Sequence, residues 1–179
     1  MSSTQALRPA LFIDRDGTLM VEVDHCHDPA DVRAYPGAAE VLAQARSQGW
    51  AVIIITNQSG IGRGYFTVEQ FESVQQELFR QLNGEVDASY MAPDHPDTPS
   101  LRRKPAPGMI LEAASEHGIN LKSSFMIGDK GIDIECGRNA GVRTILVETG
   151  YGKEYLGCAA DFIAPTVTEA IRLVLDSSF

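Results

Sequence analysis

The chain has 179 residues, 44% of them apolar and 22% charged, which is the balance of an ordinary globular domain large enough to bury a core. Fifteen Lys and Arg against 24 Asp and Glu leave a formal net charge of −9, which argues against a nucleic-acid surface. No apolar run approaches the ~20 residues of a membrane span, the opening "MSSTQALRPA" lacks the layout of a secretory signal, and three scattered cysteines without a CxxC pair read as free thiols in a reducing cytoplasm.

The first apolar run, residues 11–13, reads as a strand that drives straight into Asp14-Arg15-Asp16-Gly17-Thr18. Two carboxylates one residue apart repel each other and resist desolvation. Either the pair belongs to a surface turn, or it holds a hard cation and does chemistry. Gly17 allows a sharp turn, and the Thr18 hydroxyl is expected to bond within the loop. A polar stretch, "DHCHD" at 24–28, follows. Its histidines could ligate zinc, contact substrate or simply be solvated. Pro36-Gly37 then opens a helix with Ala39, Val41, Leu42 and Ala45 on one side, closed by Gly49.

A second strand over 52–55 runs into Thr56-Asn57-Gln58-Ser59-Gly60. A hydroxyl and backbone N–H groups at a strand end can hold phosphate oxygens, though Thr-Asn is equally good turn chemistry. Thr67 with Gln70 makes a capping-box pattern ahead of a long helix, and residues 88–92 make a third strand. The basic run Arg102-Arg103-Lys104 precedes a helix opened by Pro107 and ended by Gly118. Such a run is either a solvated loop or a set of cations facing phosphoryl charge. A strand over 125–127 leads into Gly128-Asp129-Lys130-Gly131-Ile132-Asp133 and a helix to Ala140. Asp129 falls at the strand end and Asp133 one helical turn further. Strands over 144–147 and near 162–163 follow, then a last helix behind a capping box of Thr166 and Glu169.

Strands alternating with helices predict one α/β domain over 1–179, a three-layer, doubly wound parallel sheet of Rossmann-like type. Ligands of such sheets gather at the carboxyl ends of the strands. Each of the four polar clusters follows directly on an apolar run, and turn chemistry does not explain all four in that order.

The clusters "DRDGT", "TNQSGIGRG", "RKPAPGM" and "GDKGID" together resemble the haloacid dehalogenase superfamily, over residues 11–151. Their wording is similar to the branch of heptose bisphosphate 7-phosphatases, with the histidinol-phosphate phosphatases as near relatives. "SGIGRG", with Arg63, sits closer to the heptose enzymes. The resemblance implies a Mg²⁺-dependent phosphatase. Asp14 would be the nucleophile, and Asp16 the acid that protonates the departing oxygen and then the base for water. Mg²⁺ would bind Asp14, the backbone carbonyl of Asp16, and Asp129. Thr56 and Asn57 would hold the phosphoryl group while Lys104 balances its charge. Gln58, Arg63, Arg103 and Lys130 would meet the substrate, as would Asp24 and His25. Asp133 is expected only in support.

Many relatives carry a structural zinc loop before Arg-Lys-Pro. Here the stretch is "YMAPDHPDTPSLRRKP", without a cysteine, so a structural zinc is not expected. No segment is long enough for a large inserted cap domain. The expected partner is a phosphorylated sugar, with no nucleic acid or membrane, and a monomer is the default. Histidinol phosphate or another small phosphomonoester is the alternative substrate. A non-catalytic phospholigand-binding protein is the alternative without chemistry.

Overall fold

The structure, a computed structural model, describes residues 7–177. Residues 1–6, most of the stretch read above for a secretory signal, lie outside it, as do 178–179. In chain order the elements are β1 (Ala10–Ile13), α1 (Ala38–Ser47), β2 (Ala51–Asn57), α2 (Ser59–Gly62), α3 (Val68–Gln81), β3 (Ala88–Ala92), α4 (Gly108–His117), β4 (Phe125–Gly128), α5 (Gly131–Ala140), β5 (Arg143–Val147), β6 (Phe162–Ala164) and α6 (Val167–Asp176). All six strands are parallel, in the order β3-β2-β1-β4-β5-β6. The expected doubly wound sheet is therefore present. Its direction of winding reverses between β1 and β4, where such sheets bind ligands.

The strands are apolar throughout because both faces are covered. Leu11, Ile13, Val52, Ile54 and Ile127 pack with residues of α1, α3 and α6. Phe12, Ile53, Ile55 and Met126 pack on the other face with Met109 and Ile110 of α4 and Cys136 of α5. Burying each Ile, Leu or Val contributes about 1.5–3 kcal/mol, and these strand residues are fully buried. The inner strands cannot slip without exposing that set, so the polar residues after them are fixed at one edge of the sheet.

The helix ends follow the expected chemistry. Thr67 caps α3 in a complete capping box with Gln70, and Gly118 and Gly141 end α4 and α5 in the left-handed conformation. Two points differ. The four-residue α2 interrupts a stretch read as loop, too short to show a helical period. Thr166 does cap α6, but it accepts from the Thr168 N–H, and its hydroxyl bonds Glu169 rather than forming the reciprocal box. Between β1 and α1 lie only loops and a single 3₁₀ turn at Pro29–Asp31. Among the described residues no inserted domain stands over the sheet's carboxyl edge.

Candidate active site

Asp14 ends β1 and its N–H donates to the Ile127 carbonyl of β4 at 2.9 Å, which places it at the winding reversal. Lys104, from the loop before α4, lays its ammonium into the same place. Its Nζ lies 2.6 Å from Asp14 Oδ1, 2.7 Å from Asp133 Oδ1 and 2.9 Å from the Ile55 carbonyl. Asp14, Asp129 and Asp133 are all buried and offer carboxylate oxygens within 4.8 Å of one another. Asp133, expected only in support, thus belongs to the centre. One helical turn brings its carboxylate back over the start of α5, where it also accepts from the Lys130 N–H at 3.0 Å.

Three acids and one ammonium leave the cluster short of positive charge. Burial pushes the Asp14 carboxyl well above its usual range; Lys104 opposes the shift, and Asp133, Asp129 and Asp16 reinforce it. Asp129 is pushed up to about 6, by burial first and then by Asp133. Burial alone would lower the Lys104 ammonium, but Asp133 and Asp14 outweigh it and hold the charge firmly on.

Asp129 is clamped on one oxygen only. Its Oδ2 accepts from the Tyr151 N–H at 2.9 Å and lies against Gly17 and Gly150. Both glycines have positive φ, and a Cβ at either would collide with that oxygen. The other oxygen, Oδ1, is buried with no hydrogen-bond partner among the described residues. An ionised carboxylate oxygen left dry in this way is costly. Hard oxygens, excess negative charge and an orphaned acceptor are what Mg²⁺ takes, so the residues present fit that ion.

Asp16 is held differently. Arg15 Nε and Nη2 form a two-pronged bond to its carboxylate, both at 3.0 Å, and Gln58 Nε2 adds a third bond at 2.8 Å. Gln58 also donates to Thr56 Oγ1 at 2.9 Å. The loop around them is shaped by the backbone, since the Arg15 carbonyl accepts from the N–H groups of Leu19 and Met20. The Thr18 N–H reaches the same carbonyl at 3.4 Å, but its side chain takes no part. Its hydroxyl is buried without a hydrogen-bond partner among the described residues, contrary to expectation.

The remaining expected contacts divide into near and far. Asn57 lines the site, but both ends of its amide bond the Lys104 backbone at 3.0 Å. It therefore positions the lysine as well as facing the cleft. Asp24, His25, Gln58 and Lys130 line a cavity of about 140 Å³ beside Asp16, and Asp16, Asn57 and Lys130 also line a separate cleft of about 50 Å³ that holds Asp14 and Lys104. Glu22, not singled out in the sequence, pairs with Lys130 at 3.3 Å. Arg103 and Arg63 line neither cavity. Arg103 bonds the Asp94 carbonyl and lies close enough to the exposed Arg63 to feel its charge. In the 24–28 loop, His25 packs edge-on to Tyr65 and His27 bonds the His25 carbonyl.

A buried aspartate after β1, a lysine upon it and an acidic strand end at β4 thus gather at the carboxyl edge of a haloacid-dehalogenase type of α/β fold. A family model described as HAD-hydrolase-like matches residues 101–170. D-glycero-beta-D-manno-heptose-1,7-bisphosphate 7-phosphatase of Helicobacter pylori is 42% identical over 142 residues, 77% of this chain and 82% of that protein. The D-glycero-D-manno-heptose-1,7-bisphosphate 7-phosphatase of Thermosynechococcus vestitus is 35% identical across 93% of this chain and 95% of its own length. A crystal structure of D,D-heptose 1,7-bisphosphate phosphatase from B. bronchiseptica, complexed with magnesium and phosphate, superposes with a TM-score of 0.87. It is 28% identical and covers 94% of this chain and 98% of its own. The chain belongs to the haloacid-dehalogenase-like hydrolases, among the phosphatases that these relatives represent. The resemblance read from the four clusters is borne out.

Proposed function

We propose that this phosphatase removes the 7-phosphate of D-glycero-D-manno-heptose 1,7-bisphosphate through a phosphoryl intermediate on Asp14. The observation that carries the reading is the Asp14–Lys104 contact at 2.6 Å, buried beside Asp129 at the winding reversal. The heptose substrate is supported by the names of relatives that match most of the chain.

Asp14, Asp129 and the Asp16 carbonyl would hold Mg²⁺, which supplies the positive charge that lets a carboxylate approach an anionic phosphate. Asp14 attacks phosphorus and the sugar oxygen leaves with a proton from the Asp16 carboxyl. A water then attacks the phosphoryl-Asp14, Asp16 takes the proton of that water, and phosphate departs with Asp14 restored. Splitting the hydrolysis into two displacements allows one carboxyl to serve both steps. Lys104 balances the charge gathered on Asp14, and Thr56 and Asn57 steady the phosphoryl oxygens. Lys130, Gln58, Asp24 and His25 meet the sugar, and Arg63 and Arg103 on the outer loops meet its second phosphate. Three free thiols support a reducing compartment, the cytoplasm, as its location.

Turnover of a phosphate-ester panel with Mg²⁺, including heptose 1,7-bisphosphate and histidinol phosphate, tests the reading. The heptose ester should be hydrolysed best. No activity above an Asp14→Asn control on any ester would sink the enzyme assignment. Preference for histidinol phosphate would keep the chemistry and change the substrate.

A further inference from the structure

Among the described residues Arg15 is the largest fully buried side chain, yet it is a cation. Desolvating a guanidinium costs several kcal/mol, and a buried ion pair is weak evidence of a gain in stability. Among the described residues its side chain hydrogen-bonds only Asp16. Nη1 is buried with none, and the guanidinium carbon sits 5.1 Å above the Phe71 ring. A stability role would not leave a donor unpaired. A planar fork does, however, fix the plane of the carboxylate it grips, which a lysine cannot do.

The residue so gripped lines two cavities. Asp16 lines both the cleft of Asp14 and Lys104 and the pocket of Lys130 and His25. The oxygen of a scissile ester must lie between a phosphorus in the first and a sugar in the second. The donors are unevenly shared. Oδ2 accepts from both Arg15 Nε and Gln58 Nε2, while Oδ1 accepts only from Arg15 Nη2. A carboxylate oxygen has two lone pairs, so Oδ1 keeps one for a proton.

We propose that Arg15 is a positioning residue for Asp16, holding its plane from behind so that Oδ1 is the atom that gives and takes the proton. The assignment rests on Asp16 being the acid and base of the proposed reaction. Arg15→Met keeps an apolar chain against Phe71 and removes the fork. It should lower kcat on heptose 1,7-bisphosphate by about 100-fold, within the range of acid–base catalysis, with KM changed less than about threefold. Arg15→Lys should fare no better. In the Asp16→Asn background the same Arg15→Met change should cost less than about twofold, because residues acting through one another are non-additive.

A further loss of about tenfold in that background, or recovery of more than half of kcat by Arg15→Lys, would overturn the proposal. If Arg15→Met does not fold, Phe71→Leu removes the ring beneath the guanidinium and enters the same cycle. Its loss should vanish with Asp16→Asn, and an absent loss or one equal in both backgrounds would overturn it. Full activity of Asp16→Asn alone would instead remove the acid–base reading, so the two failures are distinct.

Discussion

At Gly17 the geometry of the acidic centre depends on a missing atom. Its φ of 78° suits glycine, and a Cβ would strike Asp129 Oδ2, the oxygen clamped by the Tyr151 N–H. Gly17→Ala should therefore cost about 1–3 kcal/mol in backbone strain. It should also weaken Mg²⁺ about 10–100-fold, as does losing a group that orients a ligand. Calorimetric titration with Mg²⁺ beside urea unfolding checks both, and unchanged affinity would show that Asp129 does not need this clamp. Asp14, Asp16, Lys104 and Asp129 were legible in the sequence because their charge is their chemistry, and because the three acids follow strands while Lys104 sits in a basic run before a helix. The partners that hold them were not. Asn57 grips a backbone 47 positions away, and Asp133 meets Lys104 only because α5 and the loop before α4 converge. The Thr18 expectation failed because the loop is closed by backbone instead, with the N–H groups of Thr18, Leu19 and Met20 on the Arg15 carbonyl.

Elements were legible where period and caps agreed. All six strands and the five long helices lie where apolar runs and terminal residues put them, whereas α2 is a single turn shorter than any period. The loop between β3 and α4 shows a different kind of limit. Its lack of cysteines was plain, but not what holds it. Ser100 does so, donating to Asp94 Oδ2 at 3.0 Å and accepting from the N–H groups of Arg102 and Arg103. One hydroxyl thus ties the loop that carries Arg103 and Lys104. Ser100→Ala removes three bonds of about 1 kcal/mol each at most, partly replaced by water. The expected result is a KM several-fold higher with kcat nearly unchanged, since Lys104 keeps its own grip through Asn57. Steady-state kinetics decide it, and a fall in kcat at constant KM would show that the loop instead sets the lysine.

For the whole molecule, the acidic centre makes folding, protons and metal compete. The Asp14 carboxyl lies above its ordinary range in the folded chain and that of Asp129 is pushed up to about 6, against 3.8 as the ordinary value. Burial raises Glu22 too. Between about pH 4 and pH 6 the folded protein therefore holds protons that the unfolded chain has released, so stability falls as pH rises. The contribution is complete below the unfolded values and is lost as pH climbs through the folded ones. Glu77, lowered to about 2 by its bonds to Arg80 and Gln81, works in the opposite sense, but at lower pH and on an exposed surface. In chelator the melting temperature should thus decline from about pH 4.5 to about 6.5. Mg²⁺ needs the carboxylates ionised, so its binding strengthens over the same interval. At about 100 times Kd it adds about 2.7 kcal/mol. The gap between the melting curves with Mg²⁺ and with chelator should therefore open as pH rises and level off near neutrality. Asp129→Asn should flatten the decline in chelator and close most of that gap. A melting temperature in chelator that stays level across this range would mean that Asp14 and Asp129 do not carry the charge that Mg²⁺ is needed to offset.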